Sequence, residues 1–341
     1  MPRRLCQRTR LCSGEFSICG LYKADSASGS TYDSGVTTFF AKLDDRGTLS
    51  LSGQDARKFL QGQVTCDLDT LSEAVSLAGA CCTPQGRVVF DFRLLQRSAQ
   101  DLLLLLPGQI TEIALATLGK YIVFSRAEVT DAASDWVQFA IWGPEAATKT
   151  GATSRTPGAS WQEGDVTWIV VDASGAVEAC VPAGQAEAFT RRWAGELGSG
   201  NAADYRRHEI THGIGHVLPS TSEMFLPQML NYQLTGRVSF TKGCYTGQEV
   251  VARMHYKGKV KRAMLAARVE GAAEPGDALY GGTGTQSVGN IVSAEKENGD
   301  NSLVLAVVAL DAVEQGVRLG ETGPSLVFAD LPYSLDGEAP A

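Results

Sequence analysis

The chain has 341 residues, which at about 150 residues per domain predicts two domains or three small ones. Hydrophobic residues make up 44% and charged residues 20%, so the composition excludes disordered and fibrous classes. A net charge of −8 argues against a nucleic-acid or membrane-surface coat, because both need excess positive charge. The longest apolar run, 303–310, is far shorter than the ~20 residues that cross a bilayer. We therefore expect no stable nucleic-acid binding and no membrane association.

The first 39 residues have the composition of a tail. Arg3, Arg4, Arg8 and Arg10 occur without any acidic residue nearby, as in an organelle transit peptide, and no apolar core of a secretory signal follows. A serine- and glycine-rich stretch over 26–34 favours a disordered tail or an over-extended reading frame instead. The eight cysteines form no C-x-x-C pair, which disfavours a zinc ribbon and is typical of a reducing compartment.

The globular part begins near residue 43 with a strand that leads into a helix. Alternating leucines over 49–51 predict the strand, and the apolar spacing over 56–60 predicts the helix. A β-hairpin follows, with strands over 76–82 and 87–96 joined by a Pro-Gln-Gly turn. The second hairpin strand is predicted to place Val88, Phe90, Phe92 and Leu94 on one face and Asp91 and Arg93 on the other.

The middle of the chain alternates strands and helices. The first predicted run has a strand over 102–106, a helix over 110–118 and a strand over 121–129. The second has strands over 136–142 and 166–171 and a helix over 186–197. No glycine-rich phosphate loop opens these helices, which argues against a Rossmann or Walker site.

The C-terminal part changes character. Short β-runs separated by glycine-rich turns predict a small C-terminal β-barrel or sandwich, the runs being 264–269, 286–292, 303–310 and 325–328. Together with the mixed elements before them, these strands predict an α+β fold.

Residues 208–212 spell H-E-x-x-H, a pattern that on a helix binds zinc through two histidines with the glutamate as base. Glycine follows at once, although a metal-binding helix would have to continue, and Leu218 stands where the extended motif has its third histidine. On a continuing helix His216 would end a row of three histidines about 12 Å long, too long for one ion. A zinc hydrolase is therefore disfavoured, and no metal-binding residue is predicted.

A second motif, 242–253, surrounds Cys244. Thr246 and Glu249 have the spacing of a capping box, which predicts a helix that begins there. Cys244 would then lie just before a helix N-terminus and close to Lys242, where the helix dipole and the ammonium both favour the nucleophilic thiolate. The alternative is a buried cysteine that only fills the core.

The motif around Cys244 closely resembles the signature of the YgfZ-type folate-binding proteins, relatives of the glycine-cleavage T-protein. Four further segments are similar to bacterial members, namely 59–65, 120–125, 225–231 and 331–335. The resemblance covers the chain from about residue 40 to its end. It implies a T-protein-like ring of three subdomains around a central folate channel, with a C-terminal β-barrel.

The resemblance also implies boundaries and a location. Residues 1–39 form a disordered or targeting tail, 40–258 a T-protein-like folate-binding region of two intertwined α+β subdomains, and 259–341 the C-terminal β-barrel. Thr246 and 256–258 look like bacterial members, so we expect a cytoplasmic protein. A mitochondrial location follows if the arginine-rich N-terminus is a transit peptide.

The function that the resemblance implies is a tetrahydrofolate-binding accessory protein that supports assembly or repair of iron–sulfur proteins, including those used in tRNA modification. Its partners would be iron–sulfur proteins or the cluster-assembly machinery. Glu209 falls where the relatives place the carboxylate that binds the pterin, a group able to accept two N–H bonds. Cys244 is the expected functional thiol and Lys242 the group that stabilises its thiolate.

The remaining signature residues carry over as folate-binding positions, namely Tyr245, Gln248, Glu249 and Arg253. Arg253 would offer charge to the folate glutamate tail or to a partner. Two structural alternatives stay open: Glu249 as a helix cap and Arg253 as part of a surface salt bridge.

One departure separates the chain from the aminomethyltransferases. Those enzymes carry paired aspartates in the hairpin, and the catalytic one aligns with Phe90, whose ring cannot handle a proton. Asp91 is also a folate-binding candidate. If the alignment moves by one residue, Asp91 takes the position of the catalytic aspartate. The alternative function is thus a folate-dependent aminomethyl or methyl transferase or demethylase, and whether the protein is an enzyme stays open. A tRNA-binding module built on 257–262 is disfavoured in an acidic chain.

Overall fold

The computed structural model describes residues 38–336 except 259, 283 and 298. The tail predicted for 1–39 lies outside the described residues, apart from Thr38 and Phe39. The strands of the described part are β1 (Phe39–Leu43), β2 (Arg46–Ser52), β3 (Leu77–Cys82), β4 (Val88–Ser98), β5 (Asp101–Pro107), β6 (Glu128–Asp131), β7 (Trp136–Trp142), β8 (Ser160–Glu163), β9 (Val166–Val170), β10 (Val177–Pro182), β11 (Gly198–Ser199), β12 (Arg262–Glu270), β13 (Ala278–Gly281), β14 (Ser287–Lys296), β15 (Asn301–Ala309), β16 (Val317–Leu319) and β17 (Val327–Ala329). The α-helices are α1 (Ala56–Gln61), α2 (Thr111–Ile122), α3 (Ala146–Lys149), α4 (Ala186–Ala194), α5 (Ala202–Thr211), α6 (Gln248–Lys257) and α7 (Leu310–Val313).

The strands form three sheets, and the first two interleave along the chain. One sheet has the order β3-β4-β5-β2-β6, and a second has the order β11-β1-β7-β10-β9-β8. Strand β1 therefore pairs with β7, far along the chain, while β2 to β6 build the other sheet between them. The mixed α+β class is confirmed.

The first sheet carries the predicted hairpin of β3 and β4. Phe90, Phe92 and Leu94 pack with α1 and α2 in one apolar core, as the alternation predicts. Val88 lies in a different core, with residues of the C-terminal sheet, so its predicted face was wrong. The reason is a register shift between Cys81 and Cys82, because a bulge turns the end of the strand.

The strand predicted over 121–129 was also wrong in its extent. Helix α2 runs on to Ile122, because the apolar stripe of Ala114 and Leu118 continues with Ile122 against the same core. The strand β6 forms only after a turn. Val123 and Phe124, which suggested a strand by their side chains, are exposed between the two elements.

The third sheet, β16-β13-β14-β15-β12-β17, lies at the C-terminal end and curls into a half-barrel. Residues 324–326 follow β16 and bond back to it, with Leu326 N to Val317 O at 2.8 Å, before β17 pairs with β12 on the opposite edge. The predicted barrel is thus a curled half-barrel. The ring of three subdomains, its central channel and the boundaries at 40, 258 and 259 stay predictions. Among the described helices, none is long and apolar enough to cross a membrane.

Candidate functional site

Helix α5 carries Glu209 and begins with a capping box, in which Asn201 Oδ1 accepts from Asp204 N at 3.0 Å and Asp204 Oδ2 accepts from Asn201 N at 2.9 Å. The helix ends at Thr211. Gly213 follows with a φ of 68°, and a Cβ there would meet the Tyr333 hydroxyl at 2.7 Å. The H-E-x-x-H string therefore does not lie on a continuing helix, as the glycines indicate.

Glu209 is 3% exposed and belongs to a buried ionic network. Nη2 of Arg46, on β2, lies 2.6 Å from both of its carboxylate oxygens. His216 bridges the network, with Nε2 at 3.1 Å from Glu209 and Nδ1 at 2.7 Å from Asp91 on β4. Asp91 also accepts from Nη1 of Arg237 at 2.7 Å and from Val217 N at 2.7 Å. Two acidic and three basic side chains thus form one largely buried ionic network.

The ionic network shifts the pKa values of its carboxyl groups and of His216. Burial raises the pKa of a carboxyl, but the charge and hydrogen bond of His216, together with Arg237, outweigh it and hold the pKa of Asp91 at about 2. Burial likewise opposes ionisation of Glu209, and Arg46 and His216 bring its pKa down to about 2. For His216 burial lowers the pKa, yet the two carboxylates raise it above its ordinary value. The network is therefore an ionised cluster.

The ion pair of Glu209 and Arg46 has hydrogen-bonding groups that remain unused. Oε1 accepts from both Arg46 and His216, whereas Oε2 accepts from Arg46 alone and can take one more N–H. Nε of Arg46 is buried and has no hydrogen-bond partner among the described residues. One acceptor and one donor of the same ion pair are therefore unused within the described residues.

The Cys244 motif differs from the capping-box prediction. Helix α6 begins at Gln248 after Gly247, whose φ is 85°, and no side chain caps it. The capping box of Thr246 and Glu249 was therefore wrong. A Cβ on Gly247 would meet the carbonyl oxygen of Thr83 at 2.4 Å, so packing against the β3–β4 turn sets the start of the helix. Cys244 is exposed, and the other described cysteines are buried.

Lys242 lies in the same motif but points to a different segment. Its Nζ donates to the carbonyl oxygens of Gln61, Val64 and Cys66 at 2.8, 2.7 and 2.7 Å. An ammonium has three hydrogens, so all of them are used. The two sequence segments 59–65 and 242–253, both quoted for the family resemblance, are thereby joined. No hydrogen bond between Lys242 and Cys244 is found in the described part of the chain, and a role for Lys242 at the thiol stays a prediction.

The other motif residues occupy varied surroundings. Tyr245 is buried with Lys242 Nζ 5.2 Å from its ring centre, and burial raises the pKa of its hydroxyl. Gln248 Nε2 lies 3.5 Å from Gly243 O. Glu249 and Arg253 are exposed and form an i,i+4 ion pair at 2.6 Å. Their folate-binding roles stay predictions, and the salt-bridge alternative for Arg253 matches this geometry.

The structure keeps the two groups of predicted residues apart. Within the described ranges no hydrogen bond or ion pair joins Glu209 or Asp91 to the 242–253 motif. The link is indirect, since Thr65 Oγ1 donates to Arg237 O at 2.6 Å in the loop that Lys242 holds. Sequence reasoning missed Arg46 and Arg237 entirely, because neither stands in a motif, and it considered His216 only as a metal ligand.

The fold of the described residues is that of the glycine-cleavage T-protein. Residues 42–169 match the GCVT N-terminal domain family. The structure of glycine cleavage system aminomethyltransferase T from Bartonella henselae superposes with a TM-score of 0.66 over 89% of this chain and 88% of that chain. The sequence identity of that pair is 15%, so the likeness shows a shared fold.

Sequence relatives narrow the class. The tRNA-modifying protein YgfZ of Colwellia psychrerythraea is 32% identical over 323 residues, 88% of this chain and 95% of the relative. Proteins of the same name from Photobacterium profundum and Klebsiella pneumoniae are 33% and 30% identical and cover 86% of this chain. The chain belongs to the YgfZ family.

Proposed function

We propose that this protein binds tetrahydrofolate and acts as an accessory factor in the assembly or repair of iron–sulfur proteins, including those that serve tRNA modification. The relatives matched above are named as tRNA-modifying proteins, and they come from bacteria. The protein would act in the cytoplasm, with iron–sulfur proteins or their assembly machinery as partners. Tetrahydrofolate would supply nitrogens that can carry one-carbon units.

The observation that carries the proposal is the exposure of Cys244 just before α6. A thiol that acts on a protein partner has to be reachable, and this one is the exposed member among the five described cysteines. Burial raises the pKa of Cys66, Cys81 and Cys180 to about 12, which leaves them unreactive. Cys244 is therefore our candidate for the functional thiol.

The transferase alternative has less support. Phe90 is fully buried in the core of the first sheet, so the position of the transferase aspartate holds no carboxylate. Asp91, one residue on, has both oxygens bonded by His216, Arg237 and Val217 N. A carboxylate held this way is not free to take a proton from a substrate.

The folate part is tested by calorimetric titration of tetrahydrofolate into wild type, Glu209→Gln and Cys244→Ala. We expect wild type and Cys244→Ala to bind, and Glu209→Gln to lose at least about tenfold in affinity, because a hydrogen bond to a charged group contributes roughly 1.5–3 kcal/mol. Glu112→Gln, an exposed carboxylate on α2, is the matched control. Absence of binding to wild type would remove folate from the proposal.

The accessory role is tested in cells that lack the protein. Mass spectrometry of tRNA nucleosides measures the modifications made by iron–sulfur enzymes, and we expect wild type to restore them and Cys244→Ala to fail. Formation of a one-carbon product from a methylamine donor and tetrahydrofolate by the purified protein would favour the transferase instead.

A further inference from the structure

The tertiary structure adds an acid to the two histidines of the H-E-x-x-H string. Asp172 lies in the loop after β9, and Nε2 of His208 lies 2.7 Å from its Oδ2. His212 stacks on His208 with ring centres 3.9 Å apart. Each of the three side chains offers one ligand atom, and these atoms all lie within 4.8 Å of one another. We propose that Asp172, His208 and His212 bind one divalent transition-metal ion, with zinc as the best match.

The protonation pattern leaves lone pairs for an ion. Nδ1 of His212 lies 2.8 Å from the carbonyl oxygen of His208, which can only accept, so this nitrogen carries the proton and Nε2 of the neutral ring presents a lone pair. A backbone carbonyl that fixes the second ring nitrogen is the usual support of a histidine ligand.

His208 supplies the independent observation. Its side chain is 4% exposed, and its Nδ1 is buried without a hydrogen-bond partner among the described residues. If Nε2 carries the proton and donates to Asp172, the lone pair of Nδ1 is unused. In the other neutral tautomer the lone pair of Nε2 faces a carboxylate oxygen. In this second tautomer Nδ1 carries the proton, and the lone pair of Nε2 meets the negative carboxylate with no donor between them. A cation bound to both atoms removes that repulsion.

The carboxylate is held in place for the same task. Oδ1 of Asp172 accepts from Ser174 N at 2.8 Å and from Ser174 Oγ at 2.5 Å, while Oδ2 is directed to the histidine. Two imidazoles and one carboxylate are a zinc ligand set that leaves one position of a tetrahedron for water. His212 is only partly buried, so the ion has a route from solvent.

This site does not make the protein a peptidase. Glu209, the base of the H-E-x-x-H pattern, pairs with Arg46 and His216 and is not part of the cluster of Asp172 and the two histidines, so it does not serve a metal-bound water. The ion would instead tie the C-terminal end of α5 to the loop between β9 and β10.

The test is titration of zinc sulfate into the chelator-treated full-length protein, followed by calorimetry and by competition with a chromophoric chelator. We expect one zinc per chain, and affinity at least about 100-fold weaker in His212→Gln and in Asp172→Asn, because loss of a supporting partner alone costs 10–100-fold. His255→Gln, which removes an exposed histidine outside the cluster, should bind as wild type.

Two further readouts keep the proposal falsifiable. Cobalt in place of zinc should show visible ligand-field bands without a thiolate charge-transfer band, and the latter would move the site to cysteines and overturn the proposal. Circular dichroism checks that each variant is folded, and zinc should raise Tm in wild type but not in folded His212→Gln. Equal affinity in wild type and both ligand variants, or no stoichiometric binding to wild type, would equally overturn it.

Discussion

Nη2 of Arg46 lies 2.6 Å from each carboxylate oxygen of Glu209, although the two residues are 163 positions apart in the chain. Their side chains are 7% and 4% exposed. The pair therefore connects β2 to α5 inside the protein, and it holds the carboxylate that we propose for folate binding.

Arg46→Met should destabilise the fold by about 3 kcal/mol, because it leaves the buried charge of Glu209 without its main partner. The double variant Arg46→Met/Glu209→Leu should recover most of that loss, since replacing a buried pair by apolar side chains is often neutral. Urea unfolding at neutral pH measures the free energy of unfolding of the single and the double variant. Arg253→Met, which breaks the exposed pair with Glu249, is the control and should cost less than about 0.5 kcal/mol. Equal losses in the single and double variants would contradict this account.

The stability of the protein should fall toward alkaline pH through His216. The folded-state pKa of His216 lies above its ordinary 6.5, so its contribution is complete below that value and is lost as pH rises through the folded-state pKa. Unfolding free energies measured over neutral to mildly alkaline pH with chelator present should show this decline in wild type. His216→Gln should lack it and His255→Gln should retain it. The same slope in His216→Gln would disprove the assignment.

At acidic pH the change of stability with pH has the opposite sign. Asp91 and Glu209 have pKa values of about 2 in the folded protein against ordinary values of 3.8 and 4.5. The two carboxylates therefore stabilise the fold at pH values above their ordinary pKa values, and this contribution is lost as the pH falls toward about 2. In Glu209→Gln the loss of stability on acidification should be shallower than in wild type. Acid titration followed by circular dichroism compares the two, and Glu112→Gln should follow wild type.

Lys242→Met should destabilise the protein by about 3 kcal/mol, because it leaves three inward-facing carbonyls of the 61–66 loop without a donor. We expect the pH profile of the reaction of Cys244 with a disulfide to stay unchanged in the folded variant, because Nζ of Lys242 is directed to the carbonyls of Gln61, Val64 and Cys66 rather than to the thiol. Stopped-flow reaction with a chromogenic disulfide, with Cys244→Ala as blank, measures the profile. A profile moved to higher pH would instead support Lys242 as the partner of the thiolate.

Native-state labelling should separate the cysteines of residues 38–336 into two classes. Iodoacetamide should modify Cys244 quickly, while Cys66, Cys81, Cys82 and Cys180 should react only on unfolding, because they are buried. Peptide mass spectrometry after timed quenching measures the extent of labelling at each cysteine. Rapid native labelling of Cys81 would contradict the packing of β3.

Much of the local structure could be predicted because it depends on near neighbours in the chain. The alternation over Phe90, Phe92 and Leu94 predicts their shared core, and the glycine at 213 indicates where α5 ends. The same reasoning failed at Val88, where a bulge at Val89 of β4 changes the face, and at Thr246, where contact with the β3–β4 turn moves the helix start to Gln248. Neither the register of paired strands nor a contact with a distant turn can be predicted from side-chain alternation alone.

The sequence by itself determined the family, the α+β class, the candidacy of Glu209 and Cys244, and most strands, since motifs and side-chain periodicity are local properties. Only the tertiary structure decided that Glu209 pairs with Arg46, that Lys242 holds the 61–66 loop and that Asp172 pairs with His208. These contacts join residues 36 to 181 positions apart. They form because burying a charge requires a partner, and the partner comes from whichever segment the sheets bring alongside.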